Sequence, residues 1–547
     1  MKHLIIYLLL LINLSVAQNP YFINDERLYQ FFEYMETTGK LSYLNRVRPY
    51  SAGTVKELLN KISSADLSDY ERNWFQSFPS IYLSDHRENI DLMSNLSSEP
   101  LNNIIGSSYA DSISHFVYWA ADKSHLIGQI TIENEFMSQN KSADIASFYY
   151  SLYGTINNLI FFNVDNRESS IFGNSQLALT ESKSIYGNYF NQYFKEGNLS
   201  TDATSGYLVF DFDKANLWLG KLPFLIGDGE SGKFVLNGFQ TTPFSSFGFS
   251  FNLWKIRYHM LHGSLLASEL KTGIVDSTSL QNSYLQVPDK YLVSHRFEVE
   301  LTDQLMLHYN ELLIYGNRSI DLNYLNPFSF LRSLEHELQD RDNVLISLGF
   351  NLGIPDYHIR LYTDILLDEW KLSKIGTNWF GNKHGIMNGI SWANYGLQLW
   401  FEHVAIRPFT YTHKFPVNRY THDGDPLGYA AGPNSQTFFF KAAYQLNPDW
   451  RFELDHRFQR KGNNFDQSDS LTWNIGGDVF KGHVNENKGS IESITENVEF
   501  LSGNIINTNE TTVRIEFQPN YYLKTRFEYS ISDKKSNLLR FLFSISY

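Results

Sequence analysis

The chain has 547 residues, 16% of them aromatic and only 19% charged, with a net charge of −14 and no cysteine. Nucleic-acid binding runs on a basic excess, so the acidic balance argues against it. The missing cysteines exclude disulfides, thiolate metal sites, cysteine nucleophiles and a lipid-modified N-terminal cysteine. Mean hydropathy is −0.31, and beyond the first twenty positions no apolar run reaches the ~20 residues a membrane helix needs. A helical transporter is thereby ruled out. The membrane architecture left for an aromatic-rich, on average polar chain is the β-barrel.

In chain order, Met1, Lys2 and His3 precede an apolar stretch over 4–14, then Ser15-Val16-Ala17. That pattern predicts a secretory signal peptide cleaved after Ala17. Residues 24–78 read helical. Leu28, Phe31, Phe32 and Met35 line one helical face, and Gly39 ends it. Thr54 with Glu57 fits a capping box ahead of Val55, Leu58, Leu59 and Ile62, and Ser68 with Glu71 fits another ahead of Trp74, Phe75 and Phe78. Three such helices cannot bury much surface alone.

From about Ser107 the period becomes two. Ile130, Ile132 and Phe136 alternate with Gln129, Thr131, Glu133 and Glu135; Val513, Ile515 and Phe517 alternate with Arg514, Glu516 and Gln518. The same holds around Tyr357–Ile365 by alternating Ile359, Leu361 and Ile365 with His358, Arg360 and Asp364, and again at 451–458 and 523–530. The last strand carries Phe541, Phe543, Ile545 and Tyr547 on one face, the kind of terminal aromatic signal that barrel assembly machinery reads during biogenesis. The expected fold is an all-β transmembrane barrel. At ~25 residues per strand with its connections, the tract holds about 16–20 antiparallel strands, an even number, with about 18 the best value. A barrel that wide has an open lumen unless something fills it. The N-terminal helices are therefore placed as a bundle near the periplasmic mouth. The expected division is 1–17 signal peptide, 18–100 helical plug and 101–547 barrel in an outer membrane.

Three segments then carry a resemblance: 220–237, GKLPFLIGDGESGKFVLN; 295–343, with Asn310-Glu311, Tyr324-Leu325-Asn326-Pro327 and Asp342-Asn343, followed by Tyr362-Thr363-Asp364; and Pro408-Phe409-Thr410-Tyr411-Thr412-His413, with Leu427-Gly428 and Gly432-Pro433-Asn434-Ser435 beyond. Together with Arg48-Pro49-Tyr50-Ser51, this ordered set resembles the capsule assembly Wzi family. The resemblance implies an outer-membrane barrel with a periplasmic-side helical bundle and a lectin-like role in holding capsular or related surface polysaccharide. The chain departs from the family's Trp-Gly-Pro-Gly-like turn at Ile226 and Asp228.

Other motifs read plainly. Gly227, Gly229 and Gly232 match a dinucleotide fingerprint, but Phe234-Val235-Leu236 reads as strand where a helix is required, so a barrel loop is expected. His384, His403, His413, His422 and His456 show no zinc-protease spacing. Asp340, Asp342 and Asn343, or Asp423 with Asp425, fit no EF-hand, and no cofactor or metal is expected. There is no Gly-x-Ser-x-Gly elbow, and no enzyme is expected. Sugar recognition needs aromatic faces beside hydrogen-bonding groups. Two clusters qualify: Tyr324, Asn326, Glu335, Asp342 and Asn343; and Tyr411, His413, Arg419, Tyr420, His422 and Asp423. Trp379 and Trp392, flanking a Gly-rich loop, form a weaker third. A porin or sugar-selective channel, and next an outer-membrane hydrolase, are the alternative functions; the expected partners are surface polysaccharide and outer-membrane lipid.

Overall fold

The computed structural model describes residues 22–23, 25–63, 65–78, 117–121, 124–157, 159–182, 199–212, 214–238, 242–267, 287–468, 471–483, 491–493, 496–520 and 522–546. The leader read over 1–17, the first strand position near Ser107 and the boundary at 100/101 lie outside them.

The described strands close into an antiparallel barrel of 18 strands. Closure leaves no free edge, which is what a sheet in hydrocarbon requires. The chain's two ends meet at one seam. Val117–Ala121 pairs with the start of Ser124–Ser138, and the last strand, Leu538–Ser546, pairs with the rest of it. Cross-strand register assigns each parity to a face. Leu307, Leu348, Phe401, Phe440, Leu454, Val513, Phe527 and Phe541 stand exposed on the outer face. The inner face carries ions that alternate in sign from strand to strand. Glu453, Arg514, Glu528 and Arg540 lie directly opposite one another, with Arg514 Nε 2.9 Å from Glu528 and Arg540 Nε 3.0 Å from Glu135. Cross-strand pairs of opposite charge are the sheet's own stabilising contacts. This part of the mixed-sign lumen is therefore paired along the wall.

At one end the strands join by short turns, among them Tyr395-Gly396, both with positive φ, and residues 301–304, 355–358 and 446–449. At the other end lie the long connections, including 317–342 and 407–434. Short turns mark the periplasmic end of such barrels. The helices α1 (Glu26–Thr37), α2 (Ala52–Ser63) and α3 (Asp69–Gln76) sit there. The Tyr34 hydroxyl accepts from Gly396 N at 3.2 Å, Tyr70 donates to Gln445 O at 2.5 Å, and Gly39 lies against Pro355. Gly39 sits at φ +76, where a Cβ would meet Pro355 at 2.6 Å. Its absent side chain both ends α1 and admits the turn beneath it.

Asp25 caps α1, and Ser68 with Glu71 forms a complete capping box for α3. Helix α2 differs from the sequence reading. It begins at Ala52, and Ser51 Oγ accepts from Thr54 N at 3.2 Å. The cap is thus one turn earlier than the Thr54–Glu57 pair implied, because Ser51 is already extended in a two-residue bridge with Phe22. The helices share one core, in which the Phe31 ring meets Trp74 at 5.0 Å and Phe78 at 5.1 Å. Phe31→Ala should loosen this bundle by about 3–5 kcal/mol. Limited proteolysis within 25–78 should accelerate while the barrel's heat-resistant gel migration stays unchanged.

Candidate functional site

The lumen is filled from both ends. Val47–Arg48, rising from the helical bundle, pairs with Leu225–Ile226, which also pairs with Leu236–Asn237. The connection 223–238 therefore dips into the barrel and forms a small sheet with the N-terminal segment. The glycines of the fingerprint-like motif serve this descent: Gly227 and Gly229 adopt φ of +120 and +106, and a Cβ on Gly229 would strike Met387.

Asp228 is the meeting point. Its side chain is fully buried, with Oδ1 2.9 Å from Arg46 Nε, 2.6 Å from Arg360 Nη2 and 2.8 Å from Asn351 Nδ2. Arg46 turns also to Glu36 at 2.6 Å, and its amide donates to Glu298 at 3.1 Å. Burial alone would raise the Asp228 pKa, but the Arg46 and Arg360 guanidiniums and His308 overcome it and hold the carboxyl well below the usual range. Beside it Glu402 accepts from the amide of Glu230, from Ser231 N at 2.8 Å and from the Tyr362 hydroxyl. Lys441 closes on Glu230 at 2.8 Å. The gap between plug and wall here is a cavity of about 20 Å³, room for roughly one water.

The second sequence cluster lies in 407–434, which folds inward above this plug. Tyr411 and Tyr420 are fully buried and stacked, ring centroids 5.4 Å apart. Their hydroxyls donate to the carbonyls of Phe234, at 3.1 Å, and Val235. His413 Nδ1 accepts from Phe415 N at 3.1 Å and His422 Nδ1 from Leu266 N at 2.9 Å. Burial lowers both imidazoles to about 3, so they stay neutral and can accept. Arg419 is buried, and partly exposed Asp423 accepts from Thr242 Oγ1 at 3.3 Å. These residues come together, but as the stitching of a loop.

The first cluster is on the opposite side of the wall. Arg296, Glu298 and Asn310 face the lumen; Glu311, Leu313 and Tyr315 therefore face outward, and 317–342 packs over them. Tyr324, fully buried, donates to Asp342 at 2.6 Å, and Arg318 clamps Asp342 at 2.9 and 2.6 Å. Asn343 reaches instead to Asn418 O at 2.8 Å, joining the second cluster. Glu335, pushed up to about 7 by burial, pairs with Arg332 at 2.5 Å, and Asn326 is exposed. Glu335, His336 and Asp340 bring ligand atoms within 4.8 Å of one another, although Arg332 already engages the first. Trp379 lies beside Gly381 at the long-loop end and Trp392 beside the Tyr395-Gly396 turn, so this third pair is not assembled.

Sequence reasoning missed an open cleft of about 450 Å³ at the long-loop end. Its floor is the end of the strand Trp450–Asn463, and its walls are 430–433 and 477–481. Lys461 Nζ ties one wall through Ala431 O, 2.7 Å, and Pro433 O, 2.5 Å. Asn464 Oδ1 ties the other through Ile475 N and Gly477 N, 3.0 and 3.2 Å. Asn463, Asp478 and Lys481 complete a mostly polar lining. The available signal was the Lys461-Gly462-Asn463-Asn464 run at a strand end, facing Asn474-Ile475-Gly476-Gly477-Asp478.

Asp228→Ala would leave Arg46 and Arg360 facing each other, an uncompensated buried charge worth about 3–5 kcal/mol. Protease cleavage in 223–238 should rise in the variant. Because the Asp228 pKa is depressed below the unfolded value of ~3.9, its contribution is present above that pH and lost only as pH falls through the lower folded value. The wild-type plug should therefore resist protease equally at pH 5 and pH 8, and the variant's deficit should be the same at both.

No family model matches the chain, and no curated protein matches it by sequence. Solved structures do. The Escherichia coli outer-membrane protein Wzi, described as a carbohydrate-binding β-barrel involved in group 1 capsule assembly, is 12% identical with a TM-score of 0.55, covering 96% of this chain and 98% of its own. Pseudomonas aeruginosa OccK5 (10% identical, TM-score 0.41, 77% of this chain and 97% of its own) and Acinetobacter baumannii OccAB2 (10%, 0.41, 77% and 98%) also match. At these identities the Wzi likeness shows a shared fold, a closed β-barrel spanning nearly the whole chain.

Proposed function

We propose that this chain is an outer-membrane protein that binds or organises surface polysaccharide without catalysis. The observation that carries the reading is the division of the barrel: the chain fills its lumen from both ends, while a polar cleft opens at the long-loop end. A hydroxyl-rich ligand suits a cleft lined by Asn463, Asp478 and Lys481, each able to donate or accept. The outer apolar belt supports a lipid environment, and the likeness to Wzi, described as carbohydrate-binding, supports a carbohydrate partner. A signal peptide removed near Ala17, a plug over 18–100, a barrel over 101–547 and insertion by the barrel assembly machinery complete this reading. Of the sugar-contact candidates, Asn326 and Asp423 keep exposed surface; the buried tyrosines and Asp342 instead fasten the connections 317–342 and 407–434.

Lys481→Ala combined with Asn463→Ala should remove about two hydrogen bonds and weaken retention of the organism's own surface polysaccharide about tenfold. Pull-down of the purified glycan by wild type and variant checks this, and no retention by wild type would sink the reading. The channel reading uses the same barrel and separates in a planar bilayer. The intact protein should hold a closed baseline, and deletion of residues 24–78 should open steady conductance. Large steady conductance from the intact protein would favour the channel instead.

A further inference from the structure

A β-barrel wall in lipid should be apolar on its outer face, because a polar group left unpaired in hydrocarbon is costly. Between the strands Ile256–Leu265 and Asn343–Ile354 that rule is broken. The outward parity carries His262, His295, Tyr309 and Glu311. All but Tyr309 are buried, because 317–342 turns outward over the wall, not inward over the mouth. Glu311 accepts from the Tyr309 hydroxyl at 3.0 Å and from Leu331 N at 2.8 Å. His262 Nε2 meets the Tyr315 hydroxyl at 2.8 Å, and Tyr258 donates to Pro327 O at 2.8 Å. Val293, Leu313, Tyr315, Tyr324, Leu331 and Val344 pack between flap and wall.

The flap's free surface has the opposite character. Phe328 is 84%, Leu322 78% and Phe330 62% exposed. Around these side chains four backbone amides already have internal partners: Asn323 N to Asp321 Oδ1 at 3.1 Å, Tyr324 N to Asp321 O at 3.1 Å, Phe328 N to Asn326 Oδ1 at 3.2 Å and Ser329 N to Asn326 O at 3.3 Å. Water does not require such internal pairing in a loop, whereas a lipid contact does. The strands the flap covers also carry exposed apolar residues of the barrel's belt, Leu307 and Leu348. Arg332, His336 and Asp340, on and beside the short helix Leu331–Glu337, supply the polar flank of an interfacial element.

We propose that 317–342 is a lipid-docking flap: it lies against the outer wall and seats Leu322, Phe328 and Phe330 among the lipid acyl chains. This rests on reading the barrel as membrane-spanning. The absence of native cysteine allows single-site labelling. Phe328→Cys, Leu307→Cys on the belt and Lys534→Cys in an outward hairpin turn are each labelled with an environment-sensitive fluorophore and reconstituted into phosphatidylcholine vesicles containing brominated acyl chains. The label at position 328 should blue-shift and lose fluorescence to a degree comparable with the label at position 307, while the label at position 534 keeps its intensity. Quenching at position 307 without quenching at 328 would overturn the flap while leaving the barrel intact. Quenching at neither would overturn the membrane reading itself. Efficient crosslinking between copies of the Phe328→Cys variant at high lipid-to-protein ratio would make the occupant a second protein chain and would also overturn the proposal.

Discussion

Asp228 joins three parts of the molecule that the chain delivers separately. Arg46 arrives from the N-terminal helices, Asp228 from a connection at the opposite mouth, and Arg360 from the barrel wall. None of these charges can be buried alone, since a lone ion in the interior costs several kcal/mol. Each is stable only because the others are present, so the helical bundle, the descending loop and the wall must be in place together. The short sheet of Val47–Arg48, Leu225–Ile226 and Leu236–Asn237 makes the same demand of the backbone, because each segment satisfies amides the others leave open.

The need for this assembly follows from barrel width. Side chains fill the interior of an 8-stranded barrel, and 18 strands leave far more space than they can occupy. The chain fills it with two layers of different chemistry. Around Asp228 the layer is ionic, with Arg46 and Arg360 as fixed partners of opposite charge. Above it Phe234, Tyr411, Tyr420, Leu427 and Tyr429 form an apolar cluster continuous with the inward side chains Leu312, Ile314 and Leu345. A soluble-like core thus sits inside a sheet whose other face is a membrane surface. This explains how a chain with 16% aromatics keeps an ordinary mean hydropathy.

The barrel and helices were legible because periodicity reports directly on faces. Period two gave the strands, and Leu28, Phe31, Phe32 and Met35 gave α1 with its buried face. Connections have no period, and nothing in 317–342 or 407–434 states whether the chain turns in or out. The ring and amide residues chosen as sugar contacts, Tyr324, Asp342, Tyr411 and Tyr420, are equally the types that fasten a loop through hydrogen bonds. In this structure they do so. One local signal was available. Along 305–316 the parity of Leu307, Tyr309, Leu313 and Tyr315 is broken by Glu311, and along 290–300 that of Val293, Phe297 and Val299 is broken by His295. A carboxylate and an imidazole on adjacent strands at lipid-facing parity require a cover, and the nearest connection able to supply one is 317–342.

The inward plug and the outward flap are then two answers to one requirement. Polar groups on the wall must be either paired along it, as Glu453, Arg514, Glu528 and Arg540 are, or covered by a segment that brings complementary donors. Glu402 receives the Ser231 amide on the inner face, and Glu311 receives the Leu331 amide on the outer. In both cases a strand carboxylate caps the backbone of an incoming loop, so it positions the loop as the loop shields it. What remains uncovered is informative for the same reason. At the cleft, Lys461 Nζ and Asn464 Oδ1 tie the walls together, and Asn463 and Lys481 complete the lining beside them.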